Sequence, residues 1–443
     1  MNKDLKIQNF SDYLKNNGNL NRLTTNSDNN NAPVHRWFPF FAGFSYRLVN
    51  ETISYFDMAD NGAVIFDPFI GSGTTGVVGK EQGIEVVGNE SNLFLYKICK
   101  LKTDFQVETT RLTDSARRLL EEAHNKWRQV EIENENSLLK RCYPENNLKK
   151  LVALRDLIGS ASDISDECKQ YLFLAITMSL PKSAKVGINV PYVSWRYKRK
   201  PEEVFLLFEK NIHIIEADLN KIIATYKNNT ETKIYMHDTR EENKEIKSRS
   251  IDVVFTSPPY LNNFDYGEAL KVFLYFWKIA ENWGEITKKV RKKAISSSTT
   301  YYSESAYLNK MPEEILGHHF MNKIPKVAEE IISKVEQIAS ERKKKNLKKS
   351  FDILTPLYFK DMFLALNEIY RVMKEDALAF IVIGDSAPYG IHIPTDTLLG
   401  EMAVELGFSS YTLKPMRNRG IKWKTLKYRH NKELRESLLI LVK

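Results

Sequence analysis

The chain alternates short apolar runs with long stretches of helical periodicity. The apolar runs lie at residues 63–67, 84–89, 233–236, 251–256, 377–383, 410–414 and 437–442. Runs of this length predict strands, and their nearly continuous apolar character favours a parallel sheet that is buried on both faces. A glycine turn and a helix from about residue 74 join the first two strands into a βαβ unit, and the last two strands are predicted to pair antiparallel at an edge.

The predicted strands are separated by two long helical insertions. Residues 1–32 are polar and predict a flexible N-terminal arm, and the aromatic-rich segment that begins at Val34 leads into a helix for which Ser45 is the expected N-cap. The predicted segments are the arm 1–32, core 33–104, a helical insertion 105–230 with a break near 180–201, core 231–280, a basic helical insertion 281–375, and core 376–443.

Charge and cysteine content narrow the class of protein. The 443 residues carry a formal net charge of +9, which favours a polyanionic partner. Cys99, Cys142 and Cys168 form no CxxC pair, so we expect neither a metal site nor a disulfide framework. The apolar runs are too short to span a bilayer and the N-terminus has no apolar signal core, so we expect a cytoplasmic protein without a membrane partner.

A glycine-rich turn follows the first predicted strand. Asp67 and Pro68 end the strand, and a G-x-G-x-x-G pattern starting at Gly71 precedes the helix. Glu90 stands at the end of the next strand, where a carboxylate can hold a ribose diol. The pattern indicates an adenosine-containing ligand, and NAD is one candidate. Asp67 would repel a pyrophosphate but could accept hydrogen bonds from an ammonium group, which favours S-adenosylmethionine.

A second motif, Ser257, Pro258, Pro259 and Tyr260, ends the strand at residues 251–256. The prolines lack amide hydrogens, so the segment presents the serine hydroxyl and a carbonyl as acceptors for an amino group. The tyrosine offers a flat face for an extruded base. Methylation of a cytosine ring carbon would need a nucleophilic cysteine, usually after proline, and none of the three cysteines follows a proline.

Together, FDPFIGSGTT and TSPPY resemble the motifs of the amino-methyltransferases of bacterial restriction–modification systems, and the SPPY form resembles their cytosine-N4 branch. The resemblance implies a Rossmann-like S-adenosylmethionine-dependent methyltransferase fold, an α/β fold with seven strands, the last antiparallel. It implies a catalytic role for the SPPY residues and cofactor contacts for Phe44, Ser45, Asp67, Pro68, Gly71, Gly73, Thr74, Glu90 and Asp238. Asp265 and Tyr266 match a further pair of the family, and Asp396 lies in a segment that matches the one after the fifth strand.

One feature departs from many SPPY enzymes, in which the catalytic motif precedes the glycine motif. Here the glycine motif comes first, an order that corresponds to a circular permutation of the same sheet. The site should therefore be preserved, whereas the location of the target-recognition region cannot be transferred from the family. Of the two insertions, we expect residues 105–230 to supply target recognition.

Three stretches interleave cations with aromatic side chains and are candidates for contact with nucleic acid. They cover residues 182–200, 288–293 followed by Tyr301 and Tyr302, and 417–430. The predicted DNA-binding residues are Lys182, Lys185, Trp195, Arg196, Arg417, Arg419 and Lys422. Each stretch has an equally simple interpretation as a solvated basic face. The run at residues 342–349 lacks aromatics and predicts a charged loop or helix end.

These patterns favour a methyltransferase that modifies the exocyclic amino group of a flipped base, and the family resemblance implies a site-specific enzyme acting on double-stranded DNA with cytosine N4 as the target. We expect it to be the modification enzyme of a restriction–modification system whose cognate endonuclease acts separately. Adenine N6 in DNA and an RNA base remain alternatives within the same chemistry. A NAD-dependent oxidoreductase and a catalytically silent DNA-binding regulator are the alternatives of other classes.

Overall fold

A seven-stranded sheet forms the centre of the protein in the computed structural model, which describes residues 3–59, 61–188, 191–225, 230–419 and 432–443. The strands in chain order are β1 Val64–Asp67, β2 Glu85–Asn89, β3 Val186–Gly187, β4 Ser194–Lys198, β5 Thr232–Tyr235, β6 Ile251–Thr256, β7 Met373–Gly384, β8 Ser410–Arg419 and β9 Leu434–Val442. The large sheet has the order β5-β2-β1-β6-β7-β9-β8, and β3 pairs with β4 in a separate two-stranded sheet.

Helices cover both faces of the large sheet and make up most of the two insertions. They are α1 Lys3–Asn17, α2 Leu20–Leu23, α3 Tyr46–Tyr55, α4 Thr74–Gln82, α5 Leu93–Thr103, α6 Thr109–Lys126, α7 Ser137–Cys142, α8 Glu145–Ser160, α9 Asp166–Ser183, α10 Val204–Thr225, α11 Tyr266–Phe276, α12 Trp283–Lys289, α13 Pro312–Leu316, α14 His318–Lys323, α15 Pro325–Lys344, α16 Phe351–Val372 and α17 Thr395–Leu406. Within the described residues, no helix combines the length and the apolar character needed to cross a membrane.

The strand pairing confirms the predicted fold class. Strands β5, β2, β1, β6 and β7 run parallel, and β9 pairs antiparallel with both β7 and β8. The buried apolar residues of β1 and β6 fix their register, with Ile65 opposite Val253 and Phe66 opposite Val254. Since parallel neighbours end at the same edge of a sheet, the turns that follow β1 and β6 lie side by side.

The N-terminal segment differs from the predicted flexible arm. From residue 3 it is described as helix α1, and Ile7, Phe10 and Leu14 on one side of this helix are buried. Phe10 contacts the ring of Phe380 on β7, with 6.0 Å between the ring centroids. The overall polarity of residues 1–32 conceals apolar positions at helical spacing, and burial of that face holds the segment on the sheet.

A second difference concerns the break predicted near residues 180–201. The break contains the β3–β4 hairpin, whose β4 residues Ser194–Lys198 are largely exposed on the surface. The ribbon is short and exposed, so its residues do not alternate between apolar and polar. The sequence therefore predicted that the helices are interrupted here, but not that the interruption is a hairpin.

Candidate active site

The turn after β1 is organised by Asp67. Its carboxylate is buried and accepts hydrogen bonds from the hydroxyls of Thr75 and Thr256, both at 2.6 Å, and from the backbone amide of Phe69 at 3.1 Å. Burial raises the pKa of Asp67 to about 6, and these hydrogen bonds oppose the rise. The carboxylate therefore ties β1 to α4 and to β6, while the turn beyond it faces a cavity.

Two glycines of the turn adopt a left-handed backbone, Gly71 with φ of 54° and Gly73 with φ of 91°. A Cβ on Gly71 would meet only the Phe69 carbonyl oxygen, at 3.8 Å, so the conformation itself calls for glycine there. A Cβ on Gly73 would also lie 3.0 Å from the Sγ of Cys99 on α5. Gly73, the N-cap of α4, is thus constrained by helix packing as well.

A cavity with a volume of about 900 Å³, its open mouth included, lies at the carboxyl ends of β1, β2, β5 and β6. Of the residues predicted to contact a cofactor, those that line it are Phe44, Pro68, Gly71, Thr74, Glu90 and Asp238. Asp67, Gly73 and Ser45 lie outside the lining and support it. Ser45 caps α3, as predicted, by accepting a hydrogen bond from the amide of Arg47 at 3.2 Å.

Glu90 and Asn92 form one polar wall of this cavity. The Oε1 of Glu90 accepts a hydrogen bond from the Asn92 amide at 2.7 Å, and burial raises the pKa of Glu90 to about 7. Asn92 caps α5 through its side-chain oxygen, and its buried Nδ2 has no hydrogen-bond partner in the described structure. A buried donor without a partner is costly, so it marks a place where a ligand oxygen would be stabilised.

Asp238 follows β5 on another wall of the cavity. Its carboxylate pairs with Arg240 at 2.6 Å, and Arg240 also reaches Asp361 at 3.2 Å and the carbonyl of Lys292 at 2.7 Å. Arg240 thus fixes the carboxylate and connects this wall to the second insertion.

The second insertion contributes residues that the sequence analysis missed. Val290, Lys293, Ala294 and Ile295 line the cavity opposite the glycine turn. Their stretch was predicted as a basic surface, yet it contains apolar residues between the cations, a signal that one side of it faces inward. Arg291 within the same stretch is buried, forms an ion pair with Asp265 and stacks on the ring of Trp283.

Asp265 and the tyrosines of this region hold the loop after the SPPY motif. Asp265 caps α11 and accepts hydrogen bonds from Arg291 and from the Thr300 hydroxyl. The Tyr301 hydroxyl accepts from the Tyr266 amide at 3.0 Å, and Tyr302 donates to the Ser350 carbonyl at 2.7 Å. Of these two tyrosines, Tyr301 is buried and Tyr302 is half-buried, and the hydroxyls of both are hydrogen-bonded to backbone groups of the protein.

The SPPY motif lies beside the glycine turn. The Ser257 hydroxyl donates to the Val382 carbonyl at 3.1 Å, and the Tyr260 hydroxyl donates to Oε1 of Glu436 at 2.9 Å. Glu436 on β9 is buried and also accepts from Arg417 on β8. Burial raises the pKa of Tyr260 well above its usual value, so the phenol remains neutral.

A second cavity opens on the other side of Ser257. Its lining includes Thr24, Thr25, Asn26, Phe41, Ala42, Gly43, Ser257, Pro258, Tyr260, Asn263, Phe264, Tyr266, Arg417, Asn418, Arg419 and Glu436. It shares Ala42, Gly43, Ser257 and Tyr266 with the first cavity, whereas Pro259 lines the first alone. The two cavities therefore meet at the serine of the SPPY motif.

The predicted DNA-binding residues fall into two groups. Lys182, Lys185, Trp195 and Arg196 are exposed on or next to the β3–β4 hairpin, where the Trp195 ring stacks against the guanidinium of Arg141 at 4.4 Å. Arg417 and Arg419 line the second cavity, and Lys422 lies outside the described residues. The run at residues 342–349 begins within the last turn of α15, as predicted.

The hairpin is connected to the second cavity. The backbone amide of Asp265 donates to the hydroxyl of Tyr192, which precedes β4, at 3.0 Å. The Tyr192 ring also contacts the edge of Phe264, with 6.4 Å between the centroids.

Of the described residues, no group of His, Cys, Asp and Glu has the arrangement of a metal site, and the three cysteines are buried.

The sequence is similar to those of known DNA methyltransferases. A family model described as DNA methylase, of the N6/N4 type, matches residues 6–101. The chain is 22% identical to the type II methyltransferase M.BsoBI of Geobacillus stearothermophilus, over 89% of this chain and 82% of that protein. It is 23% identical to M.AvaI of Nostoc sp., over 91% and 85%, and 21% identical to M.MvaI of Kocuria varians, over 76% and 73%.

No solved structure matches the chain. The sequence comparisons nevertheless confirm the resemblance to the amino-methyltransferases of restriction–modification systems, and they support a DNA amino-methyltransferase.

Proposed function

We propose that this chain, which resembles the DNA amino-methyltransferases of restriction–modification systems, transfers a methyl group from S-adenosylmethionine to cytosine N4 in double-stranded DNA. One observation carries the proposal: the cavity beside the glycine turn and the cavity lined by Tyr260 meet at Ser257. A cofactor in the first and a flipped base in the second would bring methyl group and amine together at that residue.

The first cavity fits the cofactor. Glu90 offers a carboxylate to a ribose diol, and the unpartnered Nδ2 of Asn92 offers a donor to an oxygen beside it. Asp238 adds a second carboxylate to the lining, held in place by its ion pair with Arg240. When bound, S-adenosylmethionine supplies a methyl group on a positively charged sulfur.

The chain's own residues would orient the amine. The Ser257 hydroxyl donates a hydrogen bond to the Val382 carbonyl. The lone pairs of the Ser257 oxygen are then free to accept a hydrogen bond from an amino group. The Pro258 carbonyl is a second acceptor beside it. Acceptors around the amine stabilise the positive charge that develops on nitrogen during attack, and alignment of the two reactants lowers the barrier further.

The duplex would lie across the rim that holds both cavities. The exposed hairpin presents Trp195 and Arg196, and a two-stranded ribbon has the width of a DNA major groove. Tyr192 connects this hairpin to Asp265 and Phe264 at the second cavity. Contacts made by the hairpin would therefore be transmitted directly to the loop beside the flipped base.

The test is nucleoside mass spectrometry of DNA and RNA from a host that lacks other amino-methyltransferases and expresses the chain. We expect N4-methylcytosine in DNA, and single-molecule sequencing of the same DNA gives its sequence context. N6-methyladenine in place of N4-methylcytosine would assign the enzyme to adenine, and methylation of RNA alone would reject DNA as the substrate. The cognate endonuclease that the family resemblance implies would be sought as an activity blocked on this DNA.

The Tyr260→Ala variant tests whether the two cavities have the separate roles proposed here, cofactor binding in the first and base binding in the second. We expect this variant to bind S-adenosylmethionine like the wild type by calorimetry and to lose most of its turnover, because the ring lies in the second cavity. An equal loss of cofactor affinity and turnover would contradict the assignment of the two cavities. If the wild-type protein bound NADH and not S-adenosylmethionine, the oxidoreductase alternative would be favoured. If it bound S-adenosylmethionine but transferred no methyl group to DNA or RNA, the catalytically silent regulator would be favoured.

A further inference from the structure

Arg419 reaches the second cavity from the end of β8. Its Cζ lies 5.0 Å from the centroid of the Tyr260 ring, and its Nη1 donates to the Asp385 carbonyl at 3.3 Å. A Cβ on Gly384 would lie 2.2 Å from this Nη1 and 3.0 Å from Cδ2 of Tyr260. The absence of a side chain at Gly384 therefore allows the guanidinium and the tyrosine ring to approach each other.

Glu436, a carboxylate that lines this cavity, is hydrogen-bonded to groups other than Arg419. One oxygen of Glu436 accepts from Tyr260 and the other from Arg417. Among the described residues, the Arg419 guanidinium has one hydrogen bond, the long one to the Asp385 carbonyl. A guanidinium carries five N–H donors in a planar fork, so the described residues leave most donors of Arg419 for a ligand in the cavity.

The two candidate bases differ in what they offer such a fork. Beside its amino group, cytosine carries two adjacent acceptors, N3 and O2, whereas adenine carries the acceptor N1 followed by a C–H group. A fork of parallel donors matches two adjacent acceptors and leaves one donor unpaired against adenine.

We propose that Arg419 selects cytosine by donating to O2 and N3 of the extruded base, an inference that rests on the proposed function. The same two bonds would orient the base so that the amino group next to N3 faces Ser257. Arg419 would then be a specificity-determining residue, and Arg417, paired with Glu436, would support the Tyr260 ring.

The test uses duplexes of the sequence context found above, with the target base as cytosine or as 3-deazacytosine, in which C–H replaces N3. We expect the replacement to lower kcat/KM of the wild type on the order of 10- to 100-fold, the discrimination typical of a bidentate base contact. Arg419→Ala should lower kcat/KM on cytosine by a similar factor and should be nearly insensitive to the replacement. Arg419→Lys keeps the charge without the fork, so it should recover affinity for DNA but little of the discrimination.

Lys414→Ala is the matched control, since Lys414 lies on the same strand and donates to the Gln8 carbonyl. It should respond to 3-deazacytosine like the wild type. Titration with S-adenosylmethionine reports that each variant is folded, and Arg419→Lys replaces Arg419→Ala in the comparison if the alanine variant does not bind.

The outcomes separate this inference from the proposed function. An equal penalty for 3-deazacytosine in the wild type and in the Arg419 variants would overturn the role of Arg419 and leave cytosine methylation intact. Methylation of adenine by the wild type would overturn the cytosine assignment and the role of Arg419 together.

Discussion

At the scale of single residues, two buried carboxylates near the glycine turn have different tasks. Asp67 is saturated by two hydroxyls and an amide and holds β1, α4 and β6 together. Glu90 lines the cavity and accepts hydrogen bonds from backbone amides, including that of Asn92. Burial raises the pKa of both groups, but only at Glu90 does a ligand have direct access to the carboxylate.

The pH dependence of cofactor binding follows from Glu90. Its pKa of about 7 means that the free protein is largely protonated there below neutral pH, whereas a ribose diol donates to the ionised form. We expect the affinity for S-adenosylmethionine to fall about tenfold per pH unit below 7 and to level off above it. Calorimetry in buffers of different ionisation enthalpy should detect proton release on binding between pH 5 and about 7.

Glu90→Gln and Asp67→Ala provide the contrast. Glu90→Gln should weaken binding on the order of 10- to 100-fold and abolish the pH dependence with little change in the free energy of unfolding. Asp67→Ala should lower the free energy of unfolding by about 2–3 kcal/mol, because it leaves the hydroxyls of Thr75 and Thr256 buried without their acceptor, and cofactor binding should fall with it. A pH dependence that survives in Glu90→Gln would assign the titration to another group.

At the scale of elements, the glycine turn ends in a helix that must lie close to α5. Gly73→Ala is expected to be destabilising both through its positive φ and through contact with Cys99. Gly62 is the matched control, because it has a φ of 61° and nothing within 4 Å of the position of a Cβ. We expect a loss of about 1–2 kcal/mol for Gly62→Ala and a larger loss for Gly73→Ala, measured by urea denaturation. Equal losses would show that the packing against α5 adapts.

Helix α1 supplies a second test at this scale. Phe10 is fully buried, with ring centroids 5.1 Å from Tyr55 and from Phe56. We therefore expect Phe10→Ala to lower the free energy of unfolding by about 3–5 kcal/mol. Leu5 on the same helix is 46% exposed, and Leu5→Ala should change it by no more than about 0.5 kcal/mol. If Phe10→Ala left the free energy of unfolding unchanged, the result would support the flexible arm predicted from the sequence.

The elements that were predicted correctly are those whose signals are local. Short apolar runs located the seven strands. Asp67, Gly71 and Ser257 marked the turns, because the residue types in each short motif indicate both the backbone conformation and the chemistry of the turn. The wall formed by Val290 and Ile295, the acid Glu436 and the packing of α1 depend on contacts between segments far apart in the chain. The apolar spacing within one segment can indicate that one side of it is buried, but it does not specify which distant segment that side contacts, so these contacts had to come from the structure.

At the scale of the whole molecule, the order of the motifs along the chain does not determine the site. Strands β1 and β6 are separated by an entire helical insertion, yet they are parallel neighbours in the sheet. The turns after them line two cavities with shared residues, so a sequence in which the glycine motif comes first can form the same site as one in which it comes second. The second insertion completes the lining of the first cavity, and the first insertion presents the hairpin.

The net charge of +9 and the exposed hairpin lead to a prediction for the assembled complex. Arg196→Ala should weaken binding to duplex DNA and reduce the slope of log K against log salt concentration by about 1, the change expected for one lost phosphate contact. Trp195→Ala should weaken binding and leave the slope unchanged, because the indole carries no charge. Arg117→Ala, which removes an exposed cation paired with Asp114 on α6, serves as the control for net charge. If Arg117→Ala lowered the slope as much as Arg196→Ala, the hairpin would not be the part of the surface that contacts DNA.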